Sequence, residues 1–268
     1  MHFTKIYYPF LLVLSIAASC RNHSDAEKNK ALPKDTIHNT AFIDSSLTET
    51  DRLKLIEQLI QGDNYALAIA HTNYLLKKDP NNPAWFFIKA DALERKKDTA
   101  LALQYYLKAD SIAGKFPQAR LAILNIYAET LNPATIPYAK MMLEDPASEK
   151  IHSNIMMMKA IYLTKTGNIH QAEALYTSIM KQDYTFMQAY IEKGLLYYDQ
   201  QQYKKALELF QRSTEVKNDF ADGYFWIGKA YNKLNEKASA ILHFKKALAL
   251  DPSIQEAREE LKTLGAIQ

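Results

Sequence analysis

This chain is poor in the residues on which most chemistry is built. It has a single cysteine, Cys20, among 268 residues. No intramolecular disulfide can form, and a zinc site of the multi-cysteine kind is excluded. Seven glycines leave no phosphate-cradling loop, and neither H-E-x-x-H nor G-x-S-x-G occurs. Charge of one sign is lacking too. Setting Lys5 aside with the N-terminal apolar segment leaves 32 cations against 30 anions. That balance argues against a nucleic-acid binder, which needs a basic stripe. The cationic pairs at Lys77-Lys78, Lys204-Lys205 and Lys245-Lys246, with Arg95-Lys96-Lys97, suit helix ends and solvated outer faces. His71, His152, His170 and His243 are isolated in the sequence, whereas a metal site needs several convergent ligands. Met156-Met157-Met158 cannot converge on one ion, because consecutive helical residues point in different directions. We expect no cofactor, no metal and no catalytic residue.

What the chain does have is apolar residues, 48% of the total, at helical spacing. From Asp222 to Pro252, Tyr224, Ile227, Gly228 and Tyr231 share one helical face. A polar turn, Leu234-Asn235-Glu236-Lys237, follows. Ala240, Phe244 and Ala247 then share the face of a second helix, which Pro252 stops. Small residues at Gly228 and Ala240 let two antiparallel helices approach closely, while Tyr231 and Phe244 fill the space on either side.

This stretch resembles the tetratricopeptide repeat, with Tyr224 for the first aromatic and Ile227 for leucine. The alanines that open second helices, Ala68, Ala102, Ala172, Ala206 and Ala240, recur at 34 residues or, once, at 70. The long gap is one more copy plus two residues. Six repeats follow, at 49–82, 83–116, 117–152, 153–186, 187–220 and 221–254. The third is irregular: Pro137 lacks the N–H of a helix interior and fits only a first turn or a kink, so we expect a short or bent second helix. Residues 255–268 read as a capping helix and tail, with Ala257, Leu261 and Leu264 apolar and Glu256, Glu259 and Glu260 on the other side. The fold class expected from the resemblance is all-α, a right-handed superhelical solenoid of about six helix pairs.

The N-terminus carries a second signal. Phe10 to Ala18 is an apolar run far short of the roughly 20 residues that span a bilayer. It fits the apolar segment of a secretory signal over 1–19. Ala17-Ala18-Ser19-Cys20 resembles the bacterial lipoprotein cleavage box, which implies cleavage before Cys20 and its lipidation. Residues 20–48 then form a lipidated cysteine and a flexible polar tether. Arg21, rather than aspartate, after the cysteine implies an outer-membrane rather than inner-membrane address. The other reading is an ordinary signal peptide or an uncleaved anchor.

In the tetratricopeptide repeat family, first helices line a concave surface where protein or peptide partners bind. Aligned copies put Leu53, Phe87, Leu121, Met157, Ile191 and Phe225 in one row. One turn on stand Glu57, Asp91, Asn125, Ile161, Leu195 and Lys229, followed by Arg95, Tyr198, Asn232 and Lys233. Two readings are open: the first row lines a groove, or it packs first helices together. Some family members grip a peptide carboxylate with paired Lys and Asn, which only Lys229, Asn232 and Lys233 imitate. The expected function is a membrane-anchored adaptor, with a dedicated assembly factor for an outer-membrane, pilus or secretion machine as the alternative. A third reading, the substrate-recruiting part of an envelope hydrolase, lacks room for a catalytic domain.

Overall fold

The structure is a computed structural model that describes residues 43–267. The signal region, Cys20 and the tether as far as residue 42 lie outside the described residues. Every described element is helical. The α-helices are α1 (Glu49–Gln61), α2 (Tyr65–Lys78), α3 (Pro83–Arg95), α4 (Thr99–Ala113), α5 (Pro117–Glu129), α6 (Thr135–Leu143), α7 (His152–Lys165), α8 (Ile169–Gln182), α9 (Met187–Asp199), α10 (Tyr203–Val216), α11 (Ala221–Lys233), α12 (Lys237–Leu250) and α13 (Gln255–Thr263). A 3₁₀ segment, Pro146–Ile151, precedes α7.

One turn recurs inside every pair. Asp63, Lys97, Leu131, Gly167, Gln201 and Asn235 all take positive φ, between 55° and 81°. The next residue donates its N–H to the carbonyl five residues back, as in Asn64 to Leu59 (2.8 Å) and Glu236 to Tyr231 (2.9 Å). This left-handed closure satisfies orphan carbonyls at the end of a first helix and reverses the chain. Only one of the six is glycine, so five positions carry a steric cost. The step from Leu131 to Gly167 is the long one, which places the two extra residues after the turn of the third copy. There the second helix is short, and Pro137 is its third residue, in the first turn where its missing N–H costs nothing.

The chain divides into two compact units between Ile126 and Tyr127, within α5. In the first, α1 packs on α2, α2 on α3 and α3 on α4. Trp85, Ile69, Ile88, Leu93 and Tyr106 form its sealed interior. In the second, each helix from α6 to α13 packs on the next. Ala172, Ala206 and Ala240 are wholly buried. A Cβ added to Gly228 would lie 2.7 Å from the Phe244 ring, and one on Gly194 would lie 2.3 Å from Phe210. The glycines are therefore what lets first and second helices meet at that distance. Ala257 and Leu261 of α13 are buried against Ala240 and Phe244.

Candidate functional site

In the first unit the apolar row is interior. Leu53, Phe87 and Leu121 are buried, and the Phe87 ring lies 5.3 Å from Tyr106 and 5.2 Å from Phe116. Asp91 and Asn125 are half-buried. Asp91 is ion-paired with Arg95 at 3.0 Å, so its charge is compensated within the helix.

Ahead of that row the first helix pair ties down the segment before it. Arg52 is wholly buried, and Nη1 donates to His71 Nδ1 at 2.8 Å. Nη2 donates to the Asp44 carbonyl, and the guanidinium lies 4.0 Å over the Tyr74 ring. Burial first, and the Arg52 charge second, hold the His71 pKa below its ordinary 6.5. With Nδ1 accepting, the neutral ring keeps its proton on Nε2. Residues 44–48 are thereby part of the folded structure.

In the second unit Met157 and Ile191 are buried, as is Ile161, while Phe225 is half-buried. Most of the row is therefore interior. The side chains that reach the surface lie further along the first helices. Leu195 and Tyr198 of α9 and Trp226 of α11 are half-buried. Tyr198 stands edge-on to Trp226 at 6.0 Å and to Tyr203 at 5.1 Å. Burial, then the Tyr203, Glu260 and Asp199 charges, push the Tyr198 hydroxyl up to about 12, so it stays a neutral donor at any physiological pH. Trp226 touches Phe225 and Phe210 in turn. This aromatic group has a rigid apolar body and polar tips, the composition of a protein-binding hot spot.

The Lys and Asn pair does hold a carboxylate, but it is the chain's own. Lys229 Nζ donates to Glu260 Oε1 at 2.6 Å, and Asn232 Nδ2 donates to Glu260 Oε2 at 3.1 Å. Lys233, one residue on, is exposed. The charge of Lys229 is thus compensated by α13. Arg52 and Glu192, like Lys89, are buried charged groups that residue spacing does not foretell. Arg52 sits in the column that Phe86, Tyr190 and Tyr224 occupy in other copies, and Glu192 in that of Met158 and Trp226. Neither column is apolar throughout, since Arg120 stands in the first and Lys54 and Glu260 in the second, so no periodic signal marks the burial of either charge.

Comparisons with known proteins find the same kind of repeat. Tetratricopeptide repeat profiles match residues 53–120 and 221–254, and a TPR repeat profile matches 194–235. The human protein O-mannosyl-transferase TMTC3 is 25% identical over 194 residues, 66% of this chain and 21% of that protein. A Dictyostelium discoideum homolog of DnaJ homolog subfamily C member 7 is 22% identical over 214 residues, 73% of this chain and 40% of that protein. This chain therefore spans well under half the length of the curated relatives it matches. Among solved structures, PilW, a type IV pilus biogenesis factor, superposes with a TM-score of 0.63 at 20% identity, over 79% of this chain and 97% of that one. The likeness extends to the fold. The repeated turn, the small residues beneath aromatic ones and these matches lead to one conclusion: the chain is a tetratricopeptide repeat protein.

Proposed function

We propose that this protein is a membrane-attached, non-enzymatic scaffold that holds a protein segment against the first helices of its second unit. The observation that carries this reading is the aromatic group Tyr198, Tyr203 and Trp226, with Leu195, which presents half-buried apolar surface. Large apolar side chains left partly open on a repeat fold are the anchors such surfaces use. The membrane attachment rests on the sequence alone, on the apolar run Phe10 to Ala18 and the Ala-Ala-Ser-Cys20 box. An outer-membrane address, periplasmic or surface-facing, follows from the same box and Arg21.

A more specific reading is a dedicated assembly factor for an envelope machine. Its support is the fold shared with PilW over nearly the whole of that protein.

The test is a crosslinked pull-down from membranes with the parent chain and a Tyr198→Ala, Trp226→Ala double variant of unchanged helicity. The proposal expects one partner protein captured by the parent and lost from the variant. Capture that the variant leaves intact places the binding surface elsewhere. Release of the parent chain by salt washing, without detergent, would overturn the lipid attachment.

A further inference from the structure

The second unit contains a carboxylate that forms no ion pair among the described residues. Glu192 lies in the middle of α9 with 8% of its surface exposed. Gln188, one turn earlier, donates from Nε2 to Oε1 at 3.0 Å. Oε2 receives no hydrogen bond among the described residues. Among the described residues the cation whose field is felt at Glu192 is Lys165, and its Nζ is bonded to Glu129 at 3.3 Å.

The repeat supplies an internal control. Glu260 stands two 34-residue periods after Glu192, at the same position of a first-type helix. It reaches back onto the preceding first helix and finds Lys229 at 2.6 Å and Asn232 at 3.1 Å. Trp226, one period from each, reaches back in the same way onto Tyr198. The residues two periods before Lys229 and Asn232 are Ile161 and Thr164. Ile161 has no polar atom to offer. Thr164 is engaged elsewhere: Oγ1 donates to the Ala160 carbonyl at 3.0 Å and lies 3.2 Å from the Tyr176 hydroxyl. The position that satisfies Glu260 with a lysine thus leaves Glu192 with a methyl group.

We propose that Glu192 is the receptor for a basic side chain, lysine or arginine, of a partner protein segment whose apolar residues lie on Leu195 and Tyr198. The inference rests on the scaffold reading above and names the chemistry of its ligand. A guanidinium or ammonium group would supply Oε2 with the charged donor that Lys229 gives Glu260. Burial, before any other cause, pushes the Glu192 carboxyl up to about 7. An arriving cation would draw it back to the ionised form, in a setting where charge pairs are strong.

The test is a random peptide display library selected on the full chain, followed by affinity measurements on the peptides recovered. Selection is expected to converge on a lysine or arginine flanked by apolar residues. Replacing that basic residue by methionine is expected to weaken binding to the parent on the order of 30-fold or more, the effect of removing one partner of a buried charge pair. The same replacement is expected to change little against Glu192→Gln. A second variant, Ile161→Lys, places the cation inside the chain as Lys229 does for Glu260. It is expected to abolish binding of these peptides. Peptides that carry no basic residue, or that bind the parent and Glu192→Gln equally, overturn the inference. If such peptides are still lost on Tyr198→Ala, the scaffold reading survives without it. If no peptide is recovered, or if Tyr198→Ala leaves binding unchanged, both readings fall.

Discussion

Replacing Glu192 by glutamine is expected to stabilise the protein, and only above a defined pH. The carboxyl ordinarily titrates at 4.5, and in the folded chain at about 7, chiefly because burial penalises its charge. Between those values the unfolded chain has released the proton that the folded chain keeps. Folding stability contributed by this group is therefore fully present below 4.5 and is lost as pH rises through about 7. At 1.36 kcal/mol per pH unit, the loss amounts to about 3 kcal/mol by pH 8. Glutamine preserves the shape and the partner Gln188 but has no charge to bury. Parent and Glu192→Gln should have similar stability near pH 4, and the variant should be the more stable by about 3 kcal/mol at pH 8. Stacked repeats unfold piecewise, so urea titration is best paired with hydrogen exchange at the amides of α9. A variant destabilised at pH 8, or stabilised equally at both pH values, would refute the reasoning. The first outcome would mean that Glu192 has an internal partner. The second would mean that its charge is not the cost.

Three further outcomes follow from the packing. Gly228→Ala puts a methyl group 2.7 Å from the Phe244 ring and should destabilise by about 1–3 kcal/mol, the usual cost of overpacking, read by urea unfolding. Gln201 sits at φ 61° in a turn where the fourth copy uses glycine; Gln201→Gly should gain about 0.5–1 kcal/mol by the same measurement, as relief of left-handed strain exceeds the added chain entropy. In the first helix pair, the lowered pKa of His71 means that its contribution to stability is present above the ordinary 6.5 and is lost as pH falls through the folded value; protection of the amides of residues 44–48 against hydrogen exchange, relative to their intrinsic rates, should fall under acid, and in Arg52→Met at every pH.

The repeat register was legible from the sequence because it is imposed by volume. Gly228 under Phe244 and the buried Ala172, Ala206 and Ala240 are the small halves of small–large contacts, and contacts of that kind leave a period in the chain. The short helix of the third copy was legible from Pro137, since ring geometry and a missing N–H allow few positions. The candidate surface was less so. Spacing says which residues share a helical face, but not how deeply the neighbouring helix covers it. Leu53, Phe87, Leu121, Met157 and Ile191 share that face and are covered, whereas Leu195, Tyr198 and Trp226 remain partly open. The partners of charged groups were hidden too. Asn232 and Lys229 read as a grip for a ligand carboxylate, and only the placement of α13 brings Glu260 into it.

The most direct test of the scaffold reading is site-specific photocrosslinking in cells, with a photoreactive amino acid at Leu195 in the proposed surface or at Leu242, 63% exposed on α12. The account predicts a discrete protein adduct from position 195 and none of the same mass from 242. An adduct from 242 alone would contradict it, because the partner would then be held on the second helices.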